Sequence, residues 1–375
     1  MKPTSSPTNM LILLSLFSFL RCKSSASTMN SNPENEADRQ AAYNQFKDEL
    51  YPVKIKDKWG YINRKGEIVL PLQWGDADDF YDGYAKVGEI KGEDYLYGFI
   101  DKQGNWVVQP IYQRAENFSE GYAVVRKDDK YGFVNAEGKE IIPCQFEDAS
   151  SFHHGYAAIK QGGWVGFIDK SGQVVIKPAY TGSVNHPRFN EGRAPVFGAD
   201  EQVGYIDTSG QWAISAQFHS GGNFVNGLAW AMWQQDDSSA EHGFTILGGF
   251  IDKEGVYVIP PEYHFGWDFS EGHATVWVRS EDKMNKIWKV IDPQGTVVLD
   301  SLPYRNVGSM NQGLIPIQDE AMSWGFMNSK GEEVIPPQYA GINHFKNGMA
   351  RMEAGSAFKN TIVYINSKGE TVWSE

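Results

Sequence analysis

A short motif, aromatic-Gly-aromatic-aliphatic-Asp/Asn-x-x-Gly, recurs along most of the chain and limits what it can fold into. The clearest copies run from Trp59-Gly60-Tyr61-Ile62-Asn63 to Gly66 and from Tyr97-Gly98-Phe99-Ile100-Asp101 to Gly104. Gly132, Gly166, Gly204, Gly249 and Gly325 begin further copies. Two degenerate ones carry Lys289 and Val363 in the glycine slot but keep Ile291-Asp292 with Gly295, and Ile365-Asn366 with Gly369. Positions 60, 98, 132, 166 and 204 are spaced by 38, 34, 34 and 38 residues, a period in the range of repeat architectures. A second element, Phe-x-acid/amide-Gly-x-Ala-x-aliphatic, accompanies the first, as in Phe118-Ser119-Glu120-Gly121-Tyr122-Ala123-Val124-Val125. Its Phe slot holds Phe80, Phe152, Phe189, Phe224, Phe269 and Phe345, and once Met310. Aligning Gly60 with Gly132 sets Phe46 opposite Phe118, so nine units run from Phe46 to the C-terminus, residues 46–375.

Each unit reads as three short strands. Alternate apolar positions after the Gly-x-Ala step (Ala85 and Val87, Ala123 and Val125, Ala157 and Ile159) have the period of a strand with one buried face. The Trp-Gly-Tyr-Ile stretch is apolar on both faces, and Asp/Asn-x-x-Gly supplies hairpin-turn chemistry. A third strand carries pairs such as Ile68-Val69 and Val107-Val108 and is predicted to stop at Pro71, Pro110, Pro143, Pro178, Pro260 or Pro336. The aromatic that follows (Trp74, Tyr112, Phe146, Tyr180, Phe218, Tyr263, Tyr339) is expected to wedge between units. With 14% aromatics, 39 glycines and 17 prolines, the composition suits an all-β chain. One such unit cannot bury its apolar face alone, so nine three-stranded β-meanders must stack. The expected arrangement is an open β-solenoid or superhelix; the alternative is a closed propeller-like ring. Nine units are many for a ring, propeller blades commonly have four strands, and the two terminal units share no strand.

Lys58-Trp59-Gly60-Tyr61-Ile62 and its copies resemble the WG repeat family, also called KWG repeats. That resemblance implies interaction modules of bacterial, often exported, proteins and supplies no catalytic residue. The departures at Lys289, Val363 and Met310 predict less regular packing in units seven to nine.

The N-terminus reads differently from the repeats. The eleven residues from Met10 to Leu20 are mainly apolar, too few for a bilayer span but suited to the apolar core of a signal peptide. Cys22, directly after, resembles the lipidation cysteine of bacterial lipoproteins, although Phe19, Leu20 and Arg21 depart from the usual preceding residues. Residues 1–22 are therefore read as a signal peptide and the polar stretch 23–45 as a flexible tether. The expected location is the outer membrane or cell surface, or the periplasm or medium if Cys22 is not acylated. Membrane attachment is expected only through that anchor.

The net charge of −13 disfavours nucleic acid and anionic membrane surfaces as partners. Asp and Asn alternate freely in the turn slot (Asn63, Asp101, Asn135, Asp169, Asp207), which suits turn chemistry and not calcium binding or paired-carboxylate catalysis. His153-His154 occupy turn slots that hold Ser119-Glu120 in another unit and read as surface substitutions. Cys144 stands where Leu72 or Ile111 stand elsewhere, a packing slot. No phosphate loop, zinc spacing or nucleophile elbow is present. No cofactor, metal or catalytic activity is expected. Function is sought instead where copies differ. The face opposite Ala and Val collects aromatics in units five to seven, so Arg193, Phe197, Trp230 and Trp277 are the candidate contacts for a protein or glycan partner, near the long insertion Gln234 to Leu247. A structural envelope spacer, or a carbohydrate-active enzyme using carboxylates of units five to seven, are the other readings.

Overall fold

The computed structural model describes residues 48–92, 94–181, 187–198, 200–236, 244–280, 285–356 and 359–375. The signal-peptide and tether assignments, Cys22, Phe46 and the middle of the Gln234–Leu247 insertion lie outside them. Every regular element described is a strand, and none is a helix. The strands form nine antiparallel sheets, spanning 51–74, 76–112, 114–146, 148–180, 194–218, 220–263, 265–302, 306–339 and 341–374.

The sheets close into a nine-bladed propeller, not the open superhelix. A distinct apolar core fills each of the nine interfaces. Tyr61, Leu70 and Trp74 meet Phe80 and Ala85 between blades one and two. Trp288 and Val290 meet Met310 and Ile317 between blades seven and eight. The deciding core joins the last blade to the first, where Met349 and Tyr364 bury Tyr51, Val53 and Ile62. An open stack of nine blades has eight interfaces, so the ninth core is what closes the ring.

Two observations explain why the pattern pointed the other way. Seven blades have a fourth strand, at the end of the sheet next to the Gly-x-Ala strand; in six of them it is only two residues long, such as Arg114–Ala115 or Asp148–Ala149. Two residues carry no readable periodicity. The seam, moreover, needs no shared strand. The Tyr364 hydroxyl donates to the Pro52 carbonyl at 2.7 Å, and that of Tyr51 to the Asn347 carbonyl at 2.9 Å. Lys346 reaches across from blade nine to the Phe80 carbonyl of blade two.

The glycine of the motif has a specific steric role. In blade three Tyr131 faces Phe146 and Phe133 faces Ile142, so two residue steps on the motif strand match four on the outer one. This bulge pushes outer-strand backbone over Gly132, where a methyl group would lie 2.5 Å from the Ile142 carbonyl oxygen and 2.6 Å from the Cys144 nitrogen. All seven blades with the glycine share that register. Blade seven, with Lys289, spans only Leu299 to Leu302 there, and blade nine, with Val363, has no bulge at that point. The irregularity expected of units seven to nine is thus real in seven and nine, and has a cause. The proline does not end the outer strand: Ile68–Trp74 runs through Pro71, which lies in the bulge on an edge strand, where a missing donor is tolerated.

Adjacent blades are held by aromatic pairs. The ring after the motif glycine packs on the Phe of the next unit: Tyr61 on Phe80 at 5.0 Å, Phe99 on Phe118 at 4.7 Å, Phe133 on Phe152 at 4.8 Å, Phe250 on Phe269 at 4.7 Å. Where Met310 replaces Phe, Val290 replaces its partner, and both lie in one core. The aromatics after the proline also sit in these cores, as expected.

Candidate functional site

The face chosen from the sequence is largely used up by packing. Each blade lies between two neighbours, so the positions opposite Ala and Val are buried too. Val124 and Ala158 belong to the next interface, and Thr275 donates through Oγ1 to the Gly308 carbonyl of blade eight at 2.9 Å. Trp230 is only 6% exposed. Its indole lies edge-on to Phe250 and fills space that Gly248 and Gly266 leave open, since a methyl on Gly266 would come within 2.6 Å of it. Trp230 therefore builds the interface between blades six and seven and presents no contact surface. We expect Trp230→Ala to destabilise the fold by about 4 kcal/mol, read as a lower urea midpoint; an unchanged midpoint would contradict the packing described.

The other three candidates are half-buried. Trp277 stacks on His264 at 5.1 Å with planes 10° apart, and Lys286 lies over its ring. Phe197 packs against the core between blades five and six. Arg193 stands where Tyr84, Tyr122 and Tyr156 stand in blades two to four, residues whose rings pack on the Phe of the following unit. These side chains do not come together into one stripe.

The exposed aromatics of these blades, among the described residues, are instead Trp212 at 41%, Trp233 at 42% and Trp267 at 44%. Trp233 borders a groove of about 310 Å³ between blades five and six, lined also by Asp200, Glu201, Gln202, Gln217, His219 and Gln234. Alternation in the sequence does not single out Trp233: it lies on the face of the buried Ala229 and Ala231, three residues after Trp230 in the strand Ala229–Asp236. Both faces are covered at Ala229, Trp230 and Ala231, and exposure begins only further along the strand, at Trp233.

The Asp and Asn of the turn slot behave as turn residues. Asp101 Oδ1 accepts from the backbone nitrogens of Gln103 and Asn105, and Asn63 Oδ1 from those of Lys65 and Glu67. A second turn, Glu120-Gly121, has positive φ at both residues (56° and 85°), the type I′ geometry of a tight hairpin. Its carboxylate reaches the next blade, accepting from His154 N at 2.5 Å and Gly155 N at 3.0 Å, with Lys170 Nζ at 3.0 Å. Glu271 grips Gln312 N and Gly313 N in the same way, Asp82 grips Gly121 N and Glu191 grips Gly227 N. These carboxylates are inter-blade latches.

Partial burial raises the Glu120 carboxyl, but Lys170 and the two backbone N–H groups outweigh it and hold it below the ordinary range. A carboxyl lowered by folding contributes fully above its unfolded pKa, near 4.3, and the contribution is lost as pH falls through the folded value. Glu120→Gln should therefore cost about 1 kcal/mol at pH 7. The gap between the melting curves of wild type and variant should narrow below about pH 4; a gap independent of pH would refute the latch.

His154 Nε2 lies 3.0 Å from Asn190 Oδ1 and His153 Nε2 3.3 Å from Arg188, and among the described residues no group of three metal-ligating side chains converges. Burial pushes the Cys144 thiol up to about 11. At pH 8 it should react with a thiol reagent far more slowly in the folded protein than in urea, and equal rates would contradict its packing role.

The sequence profile of the WG-containing repeat matches residues 59–89, 97–131, 131–163, 166–197, 204–232, 249–283 and 324–355. The chain belongs to the WG-repeat family. Units seven and nine, where Lys289 and Val363 replace the glycine and the bulge shrinks or vanishes, supply no match of their own. No curated protein matches this WG-repeat chain in sequence. Among solved structures it is similar to the computationally designed Ika8 protein (12% identity, 75% of this chain and 96% of that one, TM-score 0.42). It is also similar to BamB from Moraxella catarrhalis (14%, 81% and 97%, 0.39) and apo AztD from Citrobacter koseri (11%, 87% and 93%, 0.39).

Proposed function

We propose that this WG-repeat propeller is a non-catalytic binding or scaffolding protein of the bacterial cell envelope, exported, anchored by lipid at Cys22 and recognising a protein or glycan partner. The observation that carries the reading is the division of labour within the repeat. Motif glycines, core aromatics and latch carboxylates are committed to packing within and between blades, whereas the groove beside Trp233 is centred on a slot that varies, holding Lys127, Gln161 and Val278 in other blades, although its Gln217 recurs as Gln73, Gln145 and Gln338. A rigid ring with a groove of its own make-up at one blade interface suits recognition better than a uniform spacer.

The test has two arms. Cys22→Ser should move the protein from the detergent to the aqueous phase; unchanged partitioning removes the anchor. Purified ring cross-linked to envelope fractions should retain a defined partner that Trp233→Ala plus Trp267→Ala loses. Retention no greater than that by an unrelated propeller would overturn the binding role.

A further inference from the structure

We infer that the groove between blades five and six is a subsite for a neutral saccharide, stacked on Trp233. The inference rests on the binding-scaffold reading and names the ligand class. The platform is pre-set: Trp233 meets Phe218 of the preceding blade edge-on, with ring centroids 6.4 Å apart and planes at 74°. Phe218 is itself buried and held edge-on by Tyr257. The indole is thus supported from below while 42% exposed. An aromatic face of this kind takes the axial C–H face of a sugar ring at little cost in side-chain ordering.

The rest of the lining fits hydroxyl groups. Gln202, Gln217 and Gln234 each offer a carbonyl acceptor and an NH₂ donor, so each can bond both the oxygen and the hydrogen of a hydroxyl. His219 adds a ring nitrogen, and Asp200 and Glu201, on the hairpin rim, accept from further hydroxyls. Among the described residues no Lys or Arg lines the groove, and two carboxylates border it. A sulfated, phosphorylated or uronic-acid sugar would meet like charge with no cation to pair with. A volume of about 310 Å³ lies at the small end of ligand sites, which favours recognition of a short stretch of a chain.

The experiment is a calorimetric and tryptophan-fluorescence titration of the full mature chain with maltotetraose and with the N-acetylglucosamine tetramer, and with tetramethylammonium as a cationic probe of the same aromatic and acidic groups. At least one tetrasaccharide should bind. Trp233→Ala should weaken it about tenfold or more, and Trp233→Phe should restore part of the loss. Because Trp233 is exposed, the melting curve of Trp233→Ala should stay near wild type, which separates loss of the platform from misfolding. Three results would overturn the saccharide site: neither sugar binds at millimolar concentration, binding is indifferent to Trp233→Ala, or only tetramethylammonium binds. If envelope partners are still retained in any of those cases, the binding-scaffold reading stands without the saccharide; if they too are absent, both fall.

Discussion

Gly132→Ala should destabilise the protein by about 3 kcal/mol, although it adds a single methyl group to a strand. The added carbon meets backbone, not a side chain that can turn aside: the Ile142 carbonyl, the Pro143 carbonyl carbon and the Cys144 nitrogen all lie within 2.7 Å of it. Relief requires the outer strand to lose its bulge and change register, which would pull Phe146 from the core shared with blade four. Gly121→Ala provides the comparison. A methyl there meets nothing within 4 Å, but the residue has φ of 85°, so only backbone strain of about 1 kcal/mol is expected. Urea unfolding of the two variants should rank them in that order. Equal or reversed costs would mean that the motif glycine is kept for conformational freedom and not for close approach.

Tyr364→Ala should be comparably severe, costing about 4 kcal/mol, with its damage confined to the seam. Tyr364 is buried, lies 5.8 Å from Tyr51 by ring centroid, and donates to the Pro52 carbonyl, so it bonds and packs across the only interface with no chain connection. Tyr364→Phe keeps the packing and leaves one buried acceptor unpaired, for about 1 kcal/mol. Hydrogen exchange should show the lost protection concentrated in the strands Tyr51–Ile55 and Lys359–Asn366. Loss spread evenly around the ring would mean that the seam is no weaker than the other interfaces.

Much of the fold was legible because the repeat makes each chemical requirement appear many times over. Copies of aromatic-Gly-aromatic marked the second strand of each unit, Asp/Asn-x-x-Gly its hairpin, and the aromatic after proline was correctly placed between units. Closure was not legible. It depends on the total turn accumulated over nine interfaces, which no single unit encodes, and the fourth strands that would mark propeller blades, such as Asp148–Ala149, are too short for any period. The candidate face failed for a related reason. Alternation tells which residues share a face, but not whether a neighbouring blade covers it, so Trp230 read as available when Gly248 and Gly266 had been opened to receive it. The latches escaped notice because Glu120 sits in a turn, where an acidic residue is ordinarily explained by solvent alone.

Closure is the claim on which the rest depends, and a distance across the seam tests it. Lys65 and Thr371 are exposed beside Gly66 and Val372, which touch between blades one and nine. With Cys22 and Cys144 changed to serine, spin labels on Lys65→Cys and Thr371→Cys should give one narrow distribution at the short end of the range measurable by pulsed electron resonance. A long distance, as between the two ends of a nine-unit stack, would show that the ring is open.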